Sequence, residues 1–256
     1  MIELNEKNVV KKDKNNYILS INGSLYHFKP VPNNKLYNEL ISSYIAKELG
    51  IRCFDYKIAS LNGQLGNLSK HEEFIPFNNI IPGSNNNLTD IWITLEKLVG
   101  SDNTEYLMKE LLDIFIFDIL IGNNDRNTSN YGILNNHFII FDNDNMLNED
   151  SIFDGKYTLG LDNSDTGNNL VDKLIDISED SIKDDIKNKL VLIEDDNIDN
   201  ILTQIEINED VIISNKLKED IKYKFNINRH MILREIKKNE DLNKKKNKEF
   251  FFFCLY

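Results

Sequence analysis

The sequence predicts an α+β chain in two parts, a small β-rich part followed by a larger, mainly helical one. Three observations carry this. β-prone runs separated by turn residues crowd the first 76 residues. Longer stretches with helical apolar periodicity follow. One polar loop, backed by a short strand pair, sits inside the helical part at residues 122–142. With 256 residues, 41% apolar and 10% aromatic, the chain can bury one large core or two modest lobes. Residues 1–76 are expected to form an N-lobe and 77–256 a C-lobe of a single unit.

Tyr17-Ile-Leu-Ser-Ile21 and Leu25-Tyr-His-Phe-Lys29 flank Asn22-Gly23-Ser24. Asn-Gly predicts a hairpin because both residues tolerate positive φ. Pro30 and Pro32 close the second strand, since proline has no N–H to donate to a ladder. Over residues 36–49, Leu36, Leu40, Tyr44 and Ile45 form a helical stripe, and Gly50 followed by Ile51 supplies a glycine stop. A second face carries Glu39, Ser42, Ser43 and Ala46 at i, i+3, i+4 and i+7, one glutamate among small residues that permit close approach to a sheet. Further strands are expected near 56–61 and 66–69, then a polar, turn-rich connector over 78–87.

Residues 89–99 and 104–121 read as helices. The second ends in Leu111-Leu-Asp-Ile-Phe-Ile-Phe-Asp-Ile-Leu-Ile121, apolar nearly all round, which marks a buried helix at the centre of the second part. A short hairpin follows, 131–134 and 137–141 across Asn135-Asn136. Residues 142–169 are polar and loop-like, and helical patterns return over 170–190, 198–205 and 215–238. The last stretch, 244–256, is Lys- and Phe-rich and of low complexity, and is expected to be a ragged terminus.

Composition excludes several function classes. Residues 142–220 hold 22 acidic against 7 basic side chains, a balance of −15 beside −12 for the whole chain. Such a surface repels phosphodiester backbones, so no direct nucleic-acid partner is expected. Cys53 and Cys254 are far apart and lack metal-type spacing, which points away from a disulfide framework or a zinc site. No apolar run approaches the roughly 20 residues that span a bilayer, and the start lacks a secretory pattern, so a cytoplasmic protein is expected.

The chemistry concentrates in Gly122-Asn-Asn-Asp-Arg-Asn-Thr-Ser-Asn130 and in Asp142, directly after the apolar Phe138-Ile-Ile-Phe141. Phosphoryl transfer needs this kind of set: a carboxylate beside the attacking hydroxyl, an amide oxygen and a second carboxylate for magnesium. Asp125 is the candidate catalytic carboxylate, with Asn130 and Asp142 the candidate metal ligands. Asp144, two residues on, is the rival of Asp142. Asp and Asn are also ordinary turn residues, and a strand lysine ahead of a helix glutamate is often only a solvated pair. The order decides: Lys29 near a strand end and Glu39 on the next helix precede Asp125, Asn130 and Asp142, as a kinase requires.

With these residues in place, the chain resembles the HipA-like bacterial serine/threonine kinases, the small CtkA-type members most of all. The resemblance rests on Leu25-Tyr-His-Phe-Lys29-Pro, Glu39 before Ala46-Lys-Glu-Leu-Gly-Ile51, Gly122-Asn-Asn-Asp-Arg126 with Asn130-Tyr-Gly-Ile-Leu134, and Ile140-Phe-Asp142. It covers residues 10–150. It implies a two-lobed protein-kinase-like fold related to phosphatidylinositol kinases, ATP and magnesium as cofactors, a protein serine or threonine as acceptor, and room for a regulatory partner protein. By motif, Lys29 would hold phosphates, Glu39 would orient Lys29, Asp125 would be catalytic, and Asn130 and Asp142 would bind metal. Glu73, Phe74 and Ile75 fall where the family's interlobe hinge meets adenine. The chain departs from the pattern in having no Gly-x-Gly-x-x-Gly, in a segment 11–16 without glycine or serine, and in Asn127 where the family commonly has histidine. A nucleotide-binding pseudokinase, or a kinase of a small molecule or lipid, are the competing readings.

Overall fold

The computed structural model describes residues 1–14, 16–32, 35–81, 88–146 and 180–253. Strands β1 (Ile2–Leu4), β2 (Val9–Asp13), β3 (Asn16–Ile21), β4 (Ser24–Pro30), β5 (Tyr56–Leu61) and β6 (Gln64–Lys70) form one sheet in the order β1-β5-β6-β4-β3-β2. Only β1 and β5 run parallel; the other neighbours are antiparallel. The expected hairpin is β3–β4, with Asn22 at φ 51° and Gly23 at φ 81°, the left-handed pair that matches strand twist. Asn62 and Gly63 repeat that geometry between β5 and β6.

The segment 11–16, which lacks glycine and serine, is largely strand. β2 pairs with β3 from Val9↔Leu19 to Asp13↔Asn16, with a register shift between Val9 and Lys11. Consecutive Lys11 and Lys12 and an edge position explain why no apolar period marks it: four of the five residues of β2 are exposed.

The two faces of the sheet differ. Leu19, Phe28, Ala59, Leu61 and Leu68 form a small core on one face. On the other, Tyr56 and Ile58 pack with Leu40, Ile41 and Ile45 of helix α1 (Asn38–Glu48). Helix α1 stops as expected: Gly50 at φ 74° bonds back to Lys47, and the Ile51 N–H donates to the Ala46 carbonyl at 2.8 Å.

A second sheet joins β7 (Ile75–Pro76), β8 (Tyr131–Leu134) and β9 (His137–Ile140), all antiparallel. A Cβ on Gly132 would stand 2.4 Å from the Ile75 carbonyl oxygen, so only glycine lets the connector lie this close to the hairpin. The helical part comprises a single turn α2 (Phe77–Ile80), then α3 (Leu88–Val99), α4 (Ser101–Ile121), α5 (Asp180–Val191), α6 (Asp195–Glu209) and α7 (Asn215–Phe253). Helix α4 is buried along its last part and ends on Gly122 in the left-handed conformation. Its Leu120 carbonyl accepts from the buried Asn228 of α7 at 3.1 Å. One continuous core runs from α1 and β5 through α4 to Ile221, Phe225 and Ile232 of α7.

The expected ragged end is instead helix as far as Phe253, because residues 215–253 contain neither glycine nor proline and are rich in lysine and glutamate. The expectations for 147–179, the remainder of the 82–87 connector and Cys254 lie outside the described residues. Among the described residues no helix is long and apolar enough to cross a membrane.

Candidate active site

Where the α1-bearing face of the first sheet meets the end of the β8–β9 hairpin there is a cleft of about 280 Å³. β4 supplies Lys29 to it and α1 supplies Glu39; Asp142 follows β9. Asp142 leaves the strand at φ 59°, a left-handed turn that aspartate tolerates better than bulkier residues. The Lys29 ammonium donates to the Asp142 carboxylate and to Asp144 Oδ2 at 3.0 Å, and Lys35 stands 3.8 Å from the second Asp144 oxygen. Both rival carboxylates therefore meet one ammonium. Burial alone would lower the affinity of Lys29 for its proton, but the hydrogen bonds and charges of Asp142 and Asp144 outweigh it and hold the pKa well above the ordinary lysine value.

Glu39 was expected to pair with Lys29. The hydrogen bonds of Lys29 go instead to the two aspartates, while Glu39 lies 2% exposed with Oε2 unpartnered. Burial pushes its carboxyl up to about 8; the Asn143 backbone N–H and the charge of Lys29 offset only part, and Asp142 and Asp144 add to the rise. In this arrangement Glu39 is largely neutral at neutral pH.

Asp125 is exposed at the tip of the 122–130 loop, and its N–H donates to Asn123 Oδ1 at 3.3 Å. Beneath that tip the loop is fastened by Arg126, which is 5% exposed. The guanidinium forms a forked pair with Asp118 of α4, at 2.9 Å from Nε and 2.7 Å from Nη2. It also donates to the carbonyls of Asn130 at 3.1 Å and Phe141 at 2.8 Å, and to Asn143 Oδ1. The Asn130 carbonyl accepts in addition from the Phe141 N–H at 3.1 Å. Asn130 is thus tied to the residue preceding Asp142, and its own Oδ1 meets the Ser129 hydroxyl at 3.3 Å.

The structure gathers Lys29, Glu39, Phe74 and Asp142 around the cleft. Asp125 and Asn130 do not line it; Arg126 joins the Asn130 carbonyl to that of Phe141 in its wall, and Asp125 directly precedes Arg126 in the loop. Of the three connector residues, Phe74 alone lines the cleft; the Glu73 and Ile75 side chains are exposed. Sequence reasoning missed an aromatic wall. Phe54 stacks on Phe141 with centroids 5.3 Å apart, and the Phe74 ring meets Phe141 edge-on at 4.9 Å. It also missed the Asp118–Arg126 pair. Phe141 gave a usable signal, being adjacent to Asp142, whereas Phe54 stands alone between Arg52 and Asp55 and Asp118 sits in an apolar run, neither in a recognisable pattern.

No curated protein matches the sequence. Among solved structures, the chain is similar to the Helicobacter pylori proinflammatory kinase CtkA, with a TM-score of 0.65 at 17% identity over 95% of this chain and 99% of that one. It is also similar to a chain of the Shewanella oneidensis MR-1 toxin–antitoxin complex of HipA, HipB and operator DNA, with a TM-score of 0.53 at 14% identity, covering 92% and 68% of the two chains. At these identities the likeness is one of fold, an α+β kinase-like architecture. The sequence model of HipA-like kinases matches residues 18–154, more than half of the 256, in a span that carries Lys29, Glu39, Asp125, Asn130 and Asp142. The chain belongs to the HipA-like kinase family.

Proposed function

We propose that this kinase transfers the γ-phosphoryl group of ATP to a serine or threonine hydroxyl of a protein, using magnesium. The observation that carries the proposal is the meeting of Lys29 with Asp142 and Asp144, residues more than a hundred positions apart, at one cleft with an aromatic wall. The cleft volume of about 280 Å³ is close to the roughly 300 Å³ at which small-ligand pockets begin. Phe54, Phe74 and Phe141 offer planar faces to a base.

The proposed roles follow from charge and reach. Lys29 binds phosphate oxygens once released from the aspartates, and Glu39, the buried carboxyl that makes no hydrogen bond to it while they hold it, then orients it. Asp125 takes the proton of the acceptor hydroxyl as its oxygen bonds to phosphorus and ADP leaves. The backbone of Glu73, Phe74 and Ile75 borders the adenine. Residues 1–76 and 77–256 act as the two lobes. Asp142 and Asn130 offer hard oxygen atoms of the kind magnesium takes, and the ammonium resting on Asp142 and Asp144 shows that these carboxylates already accommodate a cation. Among the described residues no group of three or more His, Cys, Asp or Glu side chains is set to hold a metal. Magnesium, when bound, offsets the charge of the transferring phosphates. A regulatory protein partner is proposed on the likeness to the HipA–HipB complex, and a cytoplasmic location on the unpaired Cys53.

The acceptor is tested with radiolabelled ATP in a bacterial lysate, followed by acid hydrolysis and phosphoamino-acid separation. Label in phosphoserine or phosphothreonine is expected. Label confined to lipid or small-molecule fractions would replace the acceptor, and ATP-dependent thermal stabilisation without any transfer would make the protein a pseudokinase.

A further inference from the structure

Asn67 lies in the middle of β6, directly opposite Lys29 on β4 and Ile58 on β5, and so shares their face of the sheet. It is 2% exposed and lines the cleft, yet neither Nδ2 nor Oδ1 has a hydrogen-bond partner. Most buried side-chain polar groups are paired, and an unpaired amide destabilises the fold that holds it. Leucine would fill nearly the same volume without that cost. The lysine stem carries its ammonium across to Asp142, which leaves the short Asn67 side chain against the sheet with an unmet donor and an unmet acceptor side by side.

We propose that Asn67 is a specificity-determining residue that reads the base of the nucleotide in this cleft, its amide pairing with the N7 acceptor and the 6-amino donor of adenine. The proposal rests on the ATP reading above. Phosphate and carboxylate ligands offer acceptors only and leave Oδ1 unmet. Adenine presents ring N7 as acceptor beside the 6-amino donor, the pair to which an asparagine amide bonds in two places; guanine presents two acceptors there and leaves Oδ1 facing another oxygen. Ser69, two residues along the same face, is also buried and lines the cleft, so the polar surface continues towards Phe74.

The test is isothermal titration of wild type and Asn67→Leu with magnesium and either ATP or 7-deaza-ATP, which lacks the N7 acceptor but keeps the 6-amino group and N1. Wild type is expected to bind 7-deaza-ATP about 10-fold more weakly than ATP. Asn67→Leu should bind the two alike, no tighter than wild type binds the deaza compound, and should melt at a higher temperature without ligand. Equal binding of both nucleotides by wild type overturns the base reading while leaving ATP binding intact, and this arm needs no variant to fold. A leucine variant that still discriminates overturns it as well. If wild type binds neither nucleotide, the ATP reading falls and this one falls with it.

Discussion

Arg126 does the most to fix the geometry of the loop that carries Asp125. Its planar fork reaches Asp118, the carbonyls of Asn130 and Phe141, and Asn143 at once, an arrangement that a lysine's point charge cannot reproduce. Arg126 and Asp118 are each 2% exposed in their side chains, so Arg126→Ala strands a buried carboxylate and should cost about 3–5 kcal/mol in urea unfolding. Glu39 gives a second expectation. An unfolded chain ionises this carboxyl near 4.5 and the folded protein only at about 8. Between those values the native state keeps a proton that the unfolded state has lost, so stability falls as pH rises through the window and levels off above it. The fall is at most ~5 kcal/mol. Glu39→Gln should flatten this part of the pH–stability profile; an unchanged slope would show that Glu39 titrates normally. Neither residue announces its partner in the sequence. Asp118 is the lone polar residue in the apolar last two turns of its helix, and Asn67 is one asparagine among many, because what distinguishes them is burial, which no local pattern marks.

The elements were legible where local chemistry dictates conformation. Asn22-Gly23 and Asn135-Asn136 take positive φ where hairpins were expected, and Gly50 and Gly122 stop their helices as left-handed caps. The edge strand β2 was illegible because its lysines face solvent and its pairing, not its pattern, makes it a strand. The 215–253 helix outran its periodic stretch because nothing in it breaks a helix. Gly132 joins two elements: β8 accepts β7 at this distance only without a Cβ. Gly132→Ala should lower the thermal midpoint, with a loss of about 1–3 kcal/mol, and should loosen the connector that carries Phe74. A melting temperature equal to wild type would mean that the second sheet tolerates displacement.

Over the whole molecule, the order Lys29, Glu39, Asp125, Asn130, Asp142 made the kinase reading available from sequence, and the fold and family agree with it. The sequence could not show that Lys29 closes on Asp142 and Asp144, since that contact needs the first sheet and the hairpin to be brought together by a continuous core. The same contact underlies the central proposal, that one cleft takes the nucleotide and the Arg126-braced loop presents Asp125 to the acceptor. Turnover with radiolabelled ATP and magnesium, measured beside ATP affinity for wild type and Asp125→Asn, tests this most directly. Turnover should drop at least about 100-fold while the ATP dissociation constant changes by less than about threefold; wild-type turnover in Asp125→Asn would contradict the account.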